Sequence, residues 1–162
     1  VSLSAVLDQF KFALDSYRGK NVPHLYLADT MGWANPRSIQ ERVSAVRELA
    51  PASRIGLHLH DTRGMGAANF LAALEVGVDL FDSSVAGLGG CPFANHATKT
   101  GAGNICTEDM VLLCQEMGIA TGIDLDKLIG AATLAERIIG RDLAGKVMHG
   151  GNLAKYRKRS NG

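Results

Sequence analysis

Three observations predict an α/β chain built on a parallel sheet. Strand-like segments begin near positions 25, 55 and 80. Helix-like segments fill the intervals between them. The segment around His58 keeps the two-residue alternation of a strand with one buried face. A helix between successive strands is the connection that parallel neighbours require.

The elements follow in order. Leu3, Val6, Leu7, Phe10, Leu14 and Tyr17 recur at helical spacing, and Leu25-Tyr-Leu-Ala28 reads as a short buried strand. Asn35 is placed to cap a helix with Pro36 in its first position and Ile39, Val43, Val46 and Leu49 along one face. In Arg54-Ile-Gly-Leu-His-Leu-His-Asp61, Ile55, Leu57 and Leu59 alternate with Gly56, His58 and His60, so both imidazoles leave the same side of a strand. Asp61 to Gly66 turns the chain into a helix that faces Phe70, Leu71 and Leu74 inward and ends at Gly77. Leu80 to Ala86 reads as the third strand. Beyond a long glycine loop, Thr107 caps a helix with Glu108 and Asp109 in its first turn and Met110, Val111, Leu113, Cys114 and Met117 as its stripe. Asp124 caps a last helix that turns Leu128, Ala131, Ala135 and Ile138 inward and stops at Gly140.

Three strands cannot close a barrel, and a parallel sheet this small has bare edges. The sequence therefore reads as the C-terminal part of a TIM (β/α)8 barrel, its other strands belonging to a longer parent. Residues 1–120 form the barrel portion, and residues 121–162 form a helical extension with a basic tail, Lys155 to Arg159, read as a solvated terminus.

Composition narrows the class. Of 162 residues, 46% are apolar and 20% charged, as in a globular domain with a real core. Lys plus Arg (17) nearly balance Asp plus Glu (16), which gives no reason to expect nucleic acid or an anionic membrane as partner. No apolar run reaches the roughly 20 residues of a membrane span. Cys91, Cys106 and Cys114 form no disulfide framework, which suits a reducing, cytoplasmic setting. The chain opens on Val1 inside a helix, so its true beginning is expected upstream.

Four features fall at the carboxyl ends of the strands, where β/α folds place their chemistry. They are Asp29-Thr-Met-Gly32, the group His58, His60 and Asp61, the loop Gly87-Leu-Gly-Gly-Cys-Pro92, and Gly101-Ala-Gly-Asn104. Two imidazoles on one strand face make half of a metal site. Asp29 reads either as an acid–base group or as a cap for the turn that follows it. Cys91 is either a small buried hydrophobe or a working thiol, and its place between Gly90 and Pro92 gives packing little use for it. Cys106 and Cys114 suit the inert role better. Asn104 either occupies a left-handed turn or supplies an amide oxygen. The glycine loop lacks the Gly-Lys-Ser/Thr of a phosphate cradle, and no Gly-x-Gly-x-x-Gly opens a helix after a strand.

Leu27-Ala-Asp-Thr-Met-Gly32, His58-Leu-His-Asp-Thr-Arg-Gly64, Asp82-Ser-Ser-Val-Ala-Gly-Leu-Gly-Gly-Cys-Pro-Phe93 and Gly103-Asn-Ile-Cys-Thr-Glu-Asp109 together resemble the hydroxymethylglutaryl-CoA lyase family, in order and in spacing. The Gly-Gly-Cys-Pro segment is the specific part, since condensing relatives of the isopropylmalate synthase type share the His-x-His and a later Asn without it. The resemblance implies a divalent cation, Mg2+ or Mn2+, with His58, His60 and Asn104 as ligands and Cys91 as the family's loop cysteine. It also implies a role for Asp29. The family's first-strand aspartate has no counterpart here, and by resemblance the chain carries the sixth to eighth strands. Two departures stand out: the loop between Cys91 and Asn104 is a few residues longer than usual, and Arg63 replaces a common aromatic residue.

The implied reaction is a retro-Claisen cleavage of 3-hydroxy-3-methylglutaryl-CoA, or a related acyl-CoA, to acetyl-CoA and a 3-oxo acid. Cys91 is the expected proton donor to the enolate carbon, and His58 or Asp29 takes the hydroxyl proton. A zinc hydrolase with His58, His60 and Cys91 as ligands is a rival, as is a condensing acyltransferase. A second class is an inactive fragment or a half-barrel that associates with another chain, and a homodimer is expected among possible assemblies.

Overall fold

The computed structural model describes residues 1–18, 20–90 and 103–159. Helices α1 (Leu3–Ser16), α2 (Pro36–Leu49) and α3 (Gly66–Glu75) alternate with strands β1 (His24–Ala28), β2 (Arg54–His58) and β3 (Leu80–Asp82). Helices α4 (Thr107–Glu116), α5 (Leu125–Ile139), α6 (Val147–Gly150) and α7 (Leu153–Arg159) follow. The sheet is parallel in the order β1-β2-β3.

Register sorts the strand residues into two faces. His24 pairs with Arg54, Tyr26 with Gly56, and Ala28 with His58, while β3 sets Leu80 beside Gly56 and Asp82 beside His58. These residues share one face. The other face carries Leu25, Leu27, Ile55, Leu57 and Phe81, and the helices cover it. Leu57 and Leu59 are fully buried there among Ile39 and Val43 of α2, Phe70 and Ala73 of α3, and Met110 and Cys114 of α4. Helix α1 lays Leu7, Phe10 and Leu14 on Leu25, Val46, Ala50 and Ile55.

On the opposite face the Tyr26 ring lies over Gly56, where a Cβ would stand 2.6 Å from the ring edge. That glycine is required by packing, not by backbone conformation. Tyr26 itself stays 40% exposed, because nothing among the described residues covers this side of the sheet. A cleft of about 670 Å³ runs along the outer edge of β1, bounded by Phe10, Tyr26, Leu27, Asp29, Trp33 and Ile39.

The start of α2 forms as its residues dictate. Asn35 Oδ1 accepts the Ser38 N–H at 3.0 Å, Ser38 Oγ accepts the Asn35 N–H at 3.0 Å, and Pro36 fills the first turn. Asp124 caps α5 through the Lys127 N–H, and Gly140 ends that helix at φ 75°.

Three expectations change, and the exposed tail proves helical. The third strand stops at Asp82, because Val85–Gly87 closes into a 3-10 turn with Ala86 at φ 55°. Thr107 is not the cap of α4: Cys106 holds that position, and the Thr107 hydroxyl pairs with Ser83 Oγ at 2.8 Å. Helix α5 turns Leu125, Ala132 and partly Leu128 and Ala135 inward, leaving Ala131 and Ile138 in solvent. The basic tail is helical, with Lys155 on Asp126 at 3.0 Å and Arg157 on Glu116 at 2.6 Å. No helix among the described residues is long and apolar enough to cross a membrane.

Candidate metal site

Residues 103–106 are wedged into the sheet's carboxyl end. Asn104 bridges antiparallel to His60, Cys106 bridges parallel to Ser84, and the Ile105 N–H donates to the Leu59 carbonyl at 3.2 Å. The predicted strand face is thus extended two residues past β2. His58 ends β2 half-exposed, and His60 lies 4% exposed beside Asn104. The two rings meet edge-on, with centroids 4.9 Å apart and planes at 80°.

Each imidazole has a neighbour that orients it. His60 Nδ1 lies 2.9 Å from the main-chain oxygen of Asp29. A carbonyl only accepts, so Nδ1 carries the proton and Nε2 keeps the lone pair of the neutral ring. His58 Nδ1 stands 3.8 Å from Asp82 Oδ2, beyond hydrogen-bond length but within reach of charge attraction.

The Asp29 side chain does what its second reading foresaw. Oδ1 accepts the Trp33 N–H at 2.8 Å and Oδ2 the Ala34 N–H at 3.2 Å, which folds the loop after β1. Its backbone, not its carboxylate, touches His60. Asp61 likewise accepts the Gly66 N–H, the first of α3, at 2.7 Å. Arg63 reaches back to the Met31 carbonyl at 3.0 Å and ties the first loop to the second.

Asn104 Nδ2 donates to the Leu88 carbonyl at 3.0 Å, while Oδ1 is buried without a partner among the described residues. A buried amide oxygen without a donor is costly unless something else satisfies it. A divalent cation would satisfy it, with two imidazole nitrogens and one amide oxygen as a mixed partial ligand set. No group of three or more His, Cys, Asp and Glu side chains among the described residues could hold a metal, so the oxygen of Asn104 is needed to complete even a partial set.

Cys91 lies outside the described residues. Cys106 and Cys114 are buried. Burial, aided by Asp109 and Glu108, pushes the Cys106 thiol up to about 12, and burial also raises Cys114. Two residues beside the site were not singled out in the sequence. Asp82 was findable, because it shares the period-two face of β3 with Leu80. Glu108 was read only as an acid in the first turn of α4, yet it is fully buried.

The profile of the HMGL-like family matches residues 2–135. The mitochondrial hydroxymethylglutaryl-CoA lyase of Homo sapiens is 42% identical over 121 residues, 75% of this chain and 36% of its own length. The crystal structure of the Bacillus subtilis HMG-CoA lyase superposes with TM-score 0.80 at 36% identity, covering 92% of this chain and 47% of that one. An HMG-CoA lyase from Acinetobacter baumannii, solved with coenzyme A and 3-methylmalate, superposes with TM-score 0.76 at 42% identity, covering 89% of this chain and 46% of that one. The chain spans less than half the length of these relatives. With a family match over most of its residues and a sheet that superposes on those lyases, the chain belongs to the HMGL-like family and has the fold of a C-terminal part of their TIM barrel.

Proposed function

We propose that this chain supplies the cation-binding rim and the acid thiol of a carbon–carbon lyase that cleaves a 3-hydroxyacyl-CoA, 3-hydroxy-3-methylglutaryl-CoA first among candidates. One observation carries the reading: His60 and Asn104, distant in sequence, are joined by a β-bridge, with the Asn104 oxygen unpartnered among the described residues beside a tautomer-fixed imidazole. The family membership and the coenzyme A bound to the A. baumannii relative support the substrate class.

The chain's residues divide the work as follows. His58, His60 and Asn104 hold Mg2+ or Mn2+, whose charge when bound favours the ionised form of the substrate's tertiary hydroxyl. His58 or Asp29 takes that hydroxyl proton. Asp29 suits that role beside a cation-bound His58, because a neutral imidazole has a single lone pair, whereas the carboxylate keeps acceptor capacity beyond the Trp33 and Ala34 N–H groups. The electron pair of the broken carbon–carbon bond passes into the thioester enolate, and Cys91 returns a proton to its carbon.

Titrating Mn2+ into the chain and following its paramagnetic effect tests the ligand set. His60→Ala and Asn104→Ala should each weaken binding at least about 10-fold. Cys91→Ser should leave affinity within about twofold while abolishing cleavage wherever cleavage is seen, since loss of a proton donor costs turnover and not metal binding. Unchanged Mn2+ affinity in Asn104→Ala sinks the proposal. Consumption of hydroxymethylglutaryl-CoA, against consumption of a 2-oxo acid with acetyl-CoA, separates the lyase from a condensing acyltransferase.

The sheet favours a second reading, that the site works only once further strands close the barrel. β1 and β3 each have a partner on one side only among the described residues. Turnover by this chain alone would refute it.

A further inference from the structure

Glu108 has no part in the chemistry above, yet its side chain is fully enclosed. It sits in the first turn of α4, where an acid is usually content at the surface. Here Oε2 accepts the Ala86 N–H at 3.0 Å, and Oε1 has no partner among the described residues. The enclosure is tight, because any side chain at Gly145 would collide with Oε1.

Ala86 is also unusual. It is the one non-glycine residue with positive φ among those described, at 55°, and it is 1% exposed. An alanine leaves the left-handed region unless its surroundings hold it there. Glu108 accepts the one backbone proton of that residue. The chain then reverses through Gly87, and the Leu88 carbonyl arrives between two donors, Ser84 Oγ at 2.6 Å and Asn104 Nδ2 at 3.0 Å. Gly103 closes the far side, where a Cβ would strike the carbonyl oxygens of Gly87 and Gly89. Each step from Glu108 to Asn104 is thus a hydrogen bond or a close backbone contact.

We propose that Glu108 is a positioning residue for Asn104: its carboxyl fixes the Ala86–Leu88 reversal, the Leu88 carbonyl grips the Asn104 NH2, and the amide oxygen is thereby left as the free end for a divalent cation. This rests on the reading of Asn104 as an oxygen ligand. A merely space-filling Glu108 would stabilise α4 without governing the Asn104 amide.

The test uses the 15N-labelled chain without metal, reading amide exchange at Ala86 and the side-chain NH2 resonances of Asn104. Glu108→Gln keeps an acceptor for the Ala86 N–H and should leave both readouts within about threefold. Glu108→Leu fills the space without accepting. It should speed exchange at Ala86 about tenfold or more, the size of one lost buried hydrogen bond, and move the Asn104 NH2 signals. Adding Ala86→Gly to Glu108→Leu should restore the Asn104 signals in part, because glycine adopts the turn unaided. Should the leucine variant fail to fold, Glu108→Asp withdraws the carboxyl by one methylene and should give the same signature. Asn104 signals unmoved in a folded Leu or Asp variant overturn the proposal, as does equal damage from Gln and Leu. Mn2+ is then added to the unmodified chain: failure to broaden His60 and Asn104 refutes the cation reading itself, while the metal-free signals still decide the positioning.

Discussion

At the residue scale, the imidazole pair was legible because side-chain direction in a strand follows from a period of two, and Ile55, Leu57 and Leu59 made that period plain. What holds His60 was not legible. Its partner is the main-chain oxygen of Asp29, and a carbonyl carries no residue type to read. Glu108 was hidden for a related reason: an acid in a helix's first turn looks the same whether it faces water or a packed interior. Burial raises its pKa from the usual 4.5, with Asp109 adding to the shift, while the Ala86 N–H and His149 oppose it. Protonation is therefore easier in the folded chain than in the unfolded one. The stability this brings is fully present below the ordinary carboxylate value and is lost as pH rises through the folded one. Glu108→Gln does not titrate, so urea denaturation should show it gaining on the unmodified chain from pH 4.5 to pH 7.5. A gap that is flat or reversed with pH contradicts the burial argument. The thiols give a simpler check. Native-state alkylation should spare Cys106 and Cys114, both buried and both with raised pKa, until the chain is unfolded.

At the scale of the element, caps were the best-read feature and turns the worst. Asn35 and Asp124 sit where their side chains demand, and Asn35→Ala should cost about 1 kcal/mol in chemical denaturation, the usual worth of an N-cap. Asn35→Ser should recover most of it. The end of β3 went unread because Val85 and Ala86 have ordinary strand chemistry. The carboxyl of Glu108, arriving from α4, accepts the N–H of the left-handed Ala86 there. The buried face of α5 was misplaced by one position for a different reason. Leu128, Ala132 and Ala135 are inward, but Ala131 and Ile138 gave an equally regular stripe, and periodicity alone does not say which stripe meets the protein.

For the whole molecule, the strand–helix alternation was enough to give the parallel sheet, since each connection is too long for a hairpin and long enough for a crossover, while the order β1-β2-β3 came from the structure. The exposed face of β1 was not legible: the strand read as buried throughout, whereas His24 and Tyr26 lie toward solvent. The uncovered rim of β1 has a consequence for handling the chain in solution. The residues of β1 that alternate away from β2, His24, Tyr26 and Ala28, offer backbone donors and acceptors to whatever extended peptide approaches, and the adjoining cleft already supplies an apolar seat for its side chains. Sedimentation velocity should accordingly show reversible clustering that grows with protein concentration, weakened when Tyr26→Lys puts a charge beside the rim. The opening through which a barrel would be completed is thus also the one through which copies of this chain would stick to each other.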